Sequence, residues 1–204
     1  MHRARRIRRV LTAAAVATLA ACASAPTHFY TLQSSVAART DTPAVAPPFL
    51  IEVLPVAVPA QVDQPELLVR QSEQRMAVLD NERWAAPLAA ELRGALAADL
   101  VGALDTRDVH DLAHPQATPL YRIQLDIRRF DSWPGRHVLI EADWSIRGDA
   151  ERALVTCTSS AAESVEPGYD ALVQGHQRAL ARIADGIAAV LRSIAAGAAP
   201  VCPR

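Results

Sequence analysis

The sequence predicts an α+β fold: one domain with a mostly antiparallel sheet and two long helices packed on one of its faces. Three patterns lead there. Leu88, Leu92, Leu96, Leu100 and Leu104 recur every four residues, the spacing of one helix face. Between Tyr121 and Ile146 apolar and polar residues alternate with the period of half-buried strands. From Pro167 to Ala196 a second apolar stripe, running through Leu172, His176, Leu180, Ile183, Ile187 and Ile194, keeps helical spacing. Strands, a helix, three more strands and a final helix make the order of an α+β sandwich.

The chain opens on an address. Its first ten residues carry Arg3, Arg5, Arg6, Arg8 and Arg9 and no acid, and Leu11 to Ala20 is uncharged and mostly apolar. A basic start, a short apolar run and small residues at its end define a secretory signal peptide. The run falls short of the ~20 apolar residues a membrane-spanning helix needs. Residues 1–21 are therefore expected to be removed. The segment closes on Leu19-Ala20-Ala21-Cys22, which resembles the lipobox of bacterial lipoproteins. There the cysteine thiol is alkylated by a diacylglycerol and becomes the first residue of the mature chain. Cys22 is thus the expected lipid attachment site, bearing acyl groups such as palmitate. A single acyl chain holds a protein weakly, whereas two or more hold it stably. Ala23 follows the cysteine where Asp would mark retention at the inner membrane in enteric bacteria. The expected location is the periplasmic face of the outer membrane.

Removing residues 1–21 exposes an acidic protein. All 21 basic residues are arginine, and losing five leaves 16 against 22 acids, a net charge of −6. Such a surface argues against nucleic acid, whose affinity comes from cations neutralising phosphates.

Residues 22–48 are rich in Ala, Ser, Thr and Pro and are expected to form the lipidated N-terminus and a flexible linker. Within them His28-Phe29-Tyr30-Thr31-Leu32 has strand-forming residues and is expected to dock on the domain edge. The domain proper is expected over 49–197, with 198–204 as a C-terminal tail. It begins with the apolar run FLIEVLPVAVP, a strand over about 49–58 that Pro55 either places at an edge or kinks. Leu67–Gln71 and Arg75–Leu79 read as a hairpin turning at Ser72-Glu73-Gln74. The first helix spans 85–104, with Pro87 in its first turn and Glu91, Arg93 and Asp99 off the leucine line. After a polar connection over 105–119 come three antiparallel strands. They start at Tyr121, Val138 and about Arg152, turn at Asp131–Gly135 and Gly148–Glu151, and leave one face wetter than the other. The last helix runs from about Pro167 to Ala196.

Chemistry is sparse. The chain has no G-x-S-x-G, no phosphate-binding Gly-rich loop, no C-x-x-C and no H-E-x-x-H. No residue is assigned a catalytic, metal-binding or cofactor-binding role, and an enzyme is not expected. His110 and His114 share metal-like spacing but meet Pro115, so a polar loop is the better reading. His176, on an apolar stripe, reads as a hydrogen-bonded core histidine. Trp133 stands in a turn, where it is either an exposed contact for a partner or a ring packed over the sheet end. Cys157 and Cys202 are the remaining cysteines. An oxidising periplasm permits a disulfide between them, but spacing cannot establish that they meet.

Several stretches carry a resemblance when taken together. Tyr30-Thr31-Leu32, Ile51-Glu52-Val53-Leu54-Pro55-Val56, the run from Asp63 to Arg70 (DQPELLVR), Arg83-Trp84-Ala85-Ala86-Pro87-Leu88 and the run from Phe130 to Trp144 precede a long final helix. In that order they resemble the ABC-type transport auxiliary lipoproteins, the group that includes paraquat-inducible protein C. The resemblance implies a non-enzymatic envelope subunit. It would accompany a protein with mammalian-cell-entry (MCE) domains in a lipid transport system between inner and outer membranes, supporting membrane integrity. It supplies no catalytic residue. An alternative is a periplasmic carrier whose helices cover an acyl-chain groove, and a further one is an envelope hydrolase.

Overall fold

The fold is seen in a computed structural model that describes residues 25–32, 47–148 and 153–203. Among the described residues seven strands and two helices follow in order: β1 (His28–Tyr30), β2 (Leu50–Val53), β3 (Glu66–Arg70), β4 (Met76–Trp84), α1 (Leu88–Leu104), β5 (Leu120–Trp133), β6 (His137–Arg147), β7 (Ala153–Ser164) and α2 (Tyr169–Ala195). The α+β class and the two helices stand as expected from the sequence. Residues 1–21, with Cys22, lie outside the described residues, as does most of the expected linker.

The single expected sheet is two sheets. One has the order β1-β4-β3 and the other β2-β5-β6-β7. Two features part them. The outer edge of β2 is closed: the Ile51 amide donates to Arg107 O (3.1 Å), the Val109 amide to Ile51 O (2.9 Å) and the Val53 amide to Asp108 Oδ1 (3.0 Å). No strand of the first sheet can pair there. The register between β3 and β4 also jumps, from Glu66 opposite Arg83 to Leu67 opposite Leu79. Such irregularities bend a strand and raise its twist.

Strand β2 is shorter than the apolar run that predicts it, because the chain leaves the ladder before Pro55, which has no amide to donate. It returns as a lone bridge between Ala57 and Asp126. The β5-β6-β7 meander matches its alternation: Ile123, Leu125, Ile127, Ile140, Ala142, Trp144 and Ile146 face the core. Trp144 sits in it with its indole N–H donated to Ser159 Oγ (2.9 Å).

Both helices lie on one face of the larger sheet, α2 against β6 and β7 and α1 against α2 and β2. The leucine line of α1 is buried from Leu88 to Leu104, but Glu91 and Asp99 are buried as well. The sequence LAAELRGALAADLVGAL is apolar almost all round, so this helix is enclosed on more than one side. Helix α2 is amphipathic and approaches the sheet closely at Gly175. A Cβ there would overlap the Val165 side chain and press on Val138.

Candidate functional site

The site of interest is where the N-terminal segment joins the domain. Strand β1 lies parallel to β4, with His28 opposite Glu82 and Tyr30 opposite Trp84. Beyond the ladder, the Ala85 amide donates to Tyr30 O (2.7 Å). Two carboxylates then hold the segment. Glu82 accepts the Tyr30 hydroxyl at 2.6 Å and meets His28 Nδ1 at 3.0 Å. Glu91, in the first turn of α1, accepts the Thr31 hydroxyl at 2.7 Å and the Leu32 amide at 2.8 Å. Gln177 of α2 reaches Thr31 O (3.4 Å), and the Leu32 side chain is buried. Residues 28–32 thus form a strap bound to the smaller sheet and to both helices.

The electrostatics are consistent. Partial burial pulls the Glu82 carboxyl upward, but hydrogen bonds from Tyr30 and His28 outweigh it and hold the group below its ordinary value. Burial first, and the neighbouring Glu82 second, push the Tyr30 hydroxyl well up, so it remains a protonated donor. Hydrogen bonds to a charged acceptor are about twice as strong as neutral ones.

Beside the strap, two of the sequence motifs converge. The Trp84 amide donates to Pro65 O (2.8 Å), and Asp63, Gln64, Pro65, Trp84, Ala86 and Pro87 line an open cleft of about 360 Å³. Behind Trp84 the core carries one polar pair. His176 Nε2 and Ser132 Oγ are 2.8 Å apart, and the imidazole stacks on Phe130 with ring centroids at 3.8 Å. Burial pushes His176 down to about 3, so it is neutral at ordinary pH. Its Nδ1 has no hydrogen-bond partner among the described residues. The adjoining cavity measures about 10 Å³, room for one water and not for a ligand.

The other candidate residues fall as follows. Cys157 and Cys202 are joined by a disulfide, Cα–Cα 5.6 Å, which brings the C-terminal tail back to β7. Pro203 lies beside Gly186 of α2, while Val201 is exposed. Trp133 is not an exposed contact. It is 6% accessible, stacked near His137 (5.8 Å), with the Arg136 guanidinium over its ring at 4.7 Å. The turn carries the backbone around while Arg136 folds back to cover the indole. His110 and His114 sit in the connection after α1. Among the described residues no group of three or more potential ligands could hold a metal ion.

Glu82 and Glu91 were not legible as strap anchors, since their partners lie 52 to 60 residues away and no local spacing marks them. Glu91 reads from the sequence as a solvent-side residue of α1, yet the strap covers it.

Residues 30–188 match the family model of ABC-type transport auxiliary lipoprotein components. Among solved structures, an uncharacterized protein superposes with a TM-score of 0.65 at 19% identity, covering 82% of this chain and 99% of its own. A Xanthomonas campestris protein of family DUF330 superposes with a TM-score of 0.60 at 17% identity, covering 84% and 96%. At these identities the likeness extends to the fold alone. Curated proteins offer no significant match in sequence.

Proposed function

Because the chain belongs to the family of ABC-type transport auxiliary lipoprotein components, we propose that it is a docking and scaffolding subunit of an MCE-type lipid transport system, acylated at Cys22 and held on the periplasmic face of the outer membrane. The observation that carries this reading is the strap. A lipid anchor can position a body only if the chain next to it is fixed to that body, and His28 to Leu32 are fixed through two carboxylates and a parallel ladder. The matched segment begins within the strap, at Tyr30. Among the described residues no helix is long and apolar enough to cross a membrane, which agrees with attachment through lipid.

The carrier alternative finds less support. The apolar stripes of both helices are buried in the common core, and the cavity behind Trp84 is far too small for an acyl chain. Three measurements test the proposal. Intact-mass analysis of the mature protein should show a diacylglyceryl-modified Cys22, and Cys22→Ala should leave the membrane fraction. Mild detergent extraction at native expression should recover an MCE-domain protein with the wild-type chain. Recovery of the lipoprotein alone would remove the transporter assignment.

A further inference from the structure

Resting on the acylation of Cys22, the strap also decides which face of the domain meets the bilayer. Five residues, 23–27, separate Cys22 from the first residue of β1. Whatever their path, six Cα–Cα steps span at most ~20 Å. The remainder of the expected linker, after Leu32, lies beyond the strap and adds nothing to that reach.

The direction is set by the ladder. Because β1 runs parallel to β4, the chain traced back from His28 heads toward the start of β4 and the β3–β4 turn at Ser72–Arg75. The β5–β6 turn lies at the same pole. Arg70 packs at 6.0 Å from Trp133, and the Val165 amide donates to Arg136 O (3.1 Å) just before α2 begins. The start of α2 is there too: Tyr169 and Asp170 share an open groove with Thr27, His28, Phe29 and Tyr30. From this pole α1 and α2 run side by side. Glu91 in the first turn of α1 holds the strap, while Arg192 in the last turn of α2 donates to Ala103 O at the far end of α1 (3.0 Å). With 27 residues, α2 places its C-terminus ~40 Å away.

This pole also has side chains suited to a lipid surface. Phe29 is 67% exposed, a rare large apolar residue in the open, and it stands at the mouth of the tether. Arg75 and Arg136 are exposed in the two turns, beside the exposed carboxylates of Glu73, Glu166 and Asp170. Aromatic rings settle at the bilayer interface, and arginines there meet headgroup phosphates.

We propose that the pole formed by Phe29, the Ser72–Arg75 turn, Arg136 and the start of α2 lies against the lipid headgroups, leaving the C-terminal ends of both helices facing away from the membrane. The test uses the full acylated chain in phosphatidylethanolamine–phosphatidylglycerol vesicles containing a headgroup-nitroxide lipid. A fluorophore is placed through Gln74→Cys or, at the opposite pole, Ala195→Cys. Quenching is expected to be several-fold stronger at position 74. An insertion of about ten Gly/Ser residues after Ala25 should abolish that contrast by lengthening the tether, and Phe29→Ser should reduce it. Equal quenching at the two sites overturns the assigned face while leaving the anchor intact, and a contrast that survives the insertion overturns the short tether as its cause. Failure of the protein to float with vesicles overturns the anchor and the assigned face together.

Discussion

Arg70 of β3 donates from Nε to Asp131 of β5 at 2.6 Å, joining the smaller sheet to the larger across the gap between them. Asp131 is fully buried and takes a second cation, Arg129, at 2.5 Å. Removing one partner leaves the carboxylate with the other, so Arg70→Ala is expected to cost about 1–3 kcal/mol. The double variant Arg70→Ala/Arg129→Ala strands a buried charge and should cost more than the two singles summed. Urea denaturation of the four proteins of the cycle measures this. Additive losses would mean that the two arginines do not share one acceptor.

The strap should open without the domain unfolding. Glu91→Ala removes the acceptor of the Thr31 hydroxyl and the Leu32 amide. An amide left buried and unpaired costs about 1–3 kcal/mol. Hydrogen exchange is expected to accelerate at Tyr30–Leu32 while the β5–β6–β7 meander keeps its protection. Glu91→Gln, which retains an acceptor, should restore most of the difference. Unchanged exchange at Leu32 in Glu91→Ala would mean that the carboxylate does not hold the strap.

Acid should weaken the fold through His176. Burial lowers its folded-state value from 6.5 to about 3, so between these limits the unfolded chain binds a proton that the folded protein refuses. Stability therefore falls as pH drops through this window, by at most about 1.4 kcal/mol per unit from this residue. His176→Gln keeps a polar partner for Ser132 but cannot titrate. Its stability profile should be flatter than the wild type's from pH 6.5 downward, and equal slopes would assign the acid response to other groups.

Reduction of Cys157–Cys202 should release the tail. The bridge closes a loop of 45 residues' separation, for which the chain-entropy relation gives about 4 kcal/mol and typical measured values are about 2–4. A Cys157→Ala/Cys202→Ala variant is expected to melt lower and to become sensitive to proteolysis after Ala195. Equal melting temperatures with and without reductant would show that the tail is held by packing at Pro203 instead.

Most elements were legible because their signals are local. The α1 leucines, the alternation from Tyr121 to Ile146 and the final stripe each repeat within a few residues, and each marks an element close to its observed bounds. The strap's strand was also readable from His28-Phe29-Tyr30. What failed involved pairing at a distance. Two sheets replace one because Asp108, in a connection after α1, seals β2. Trp133 is covered because Arg136 folds over it and Arg70 arrives from β3.

By itself the sequence determined the acidic charge of the domain and the order of strands and helices, and it is the ground for expecting an export signal and a lipidated Cys22, since periodicity and composition act over short stretches of chain. The tertiary structure alone decided how the N-terminal segment is held and in which direction it leaves the domain. Glu82 and Glu91 gain their partners, and Asp131 its contact with Arg70, only when residues about 50 to 60 positions apart are brought together, and desolvation at those contacts is what makes each hydrogen bond count.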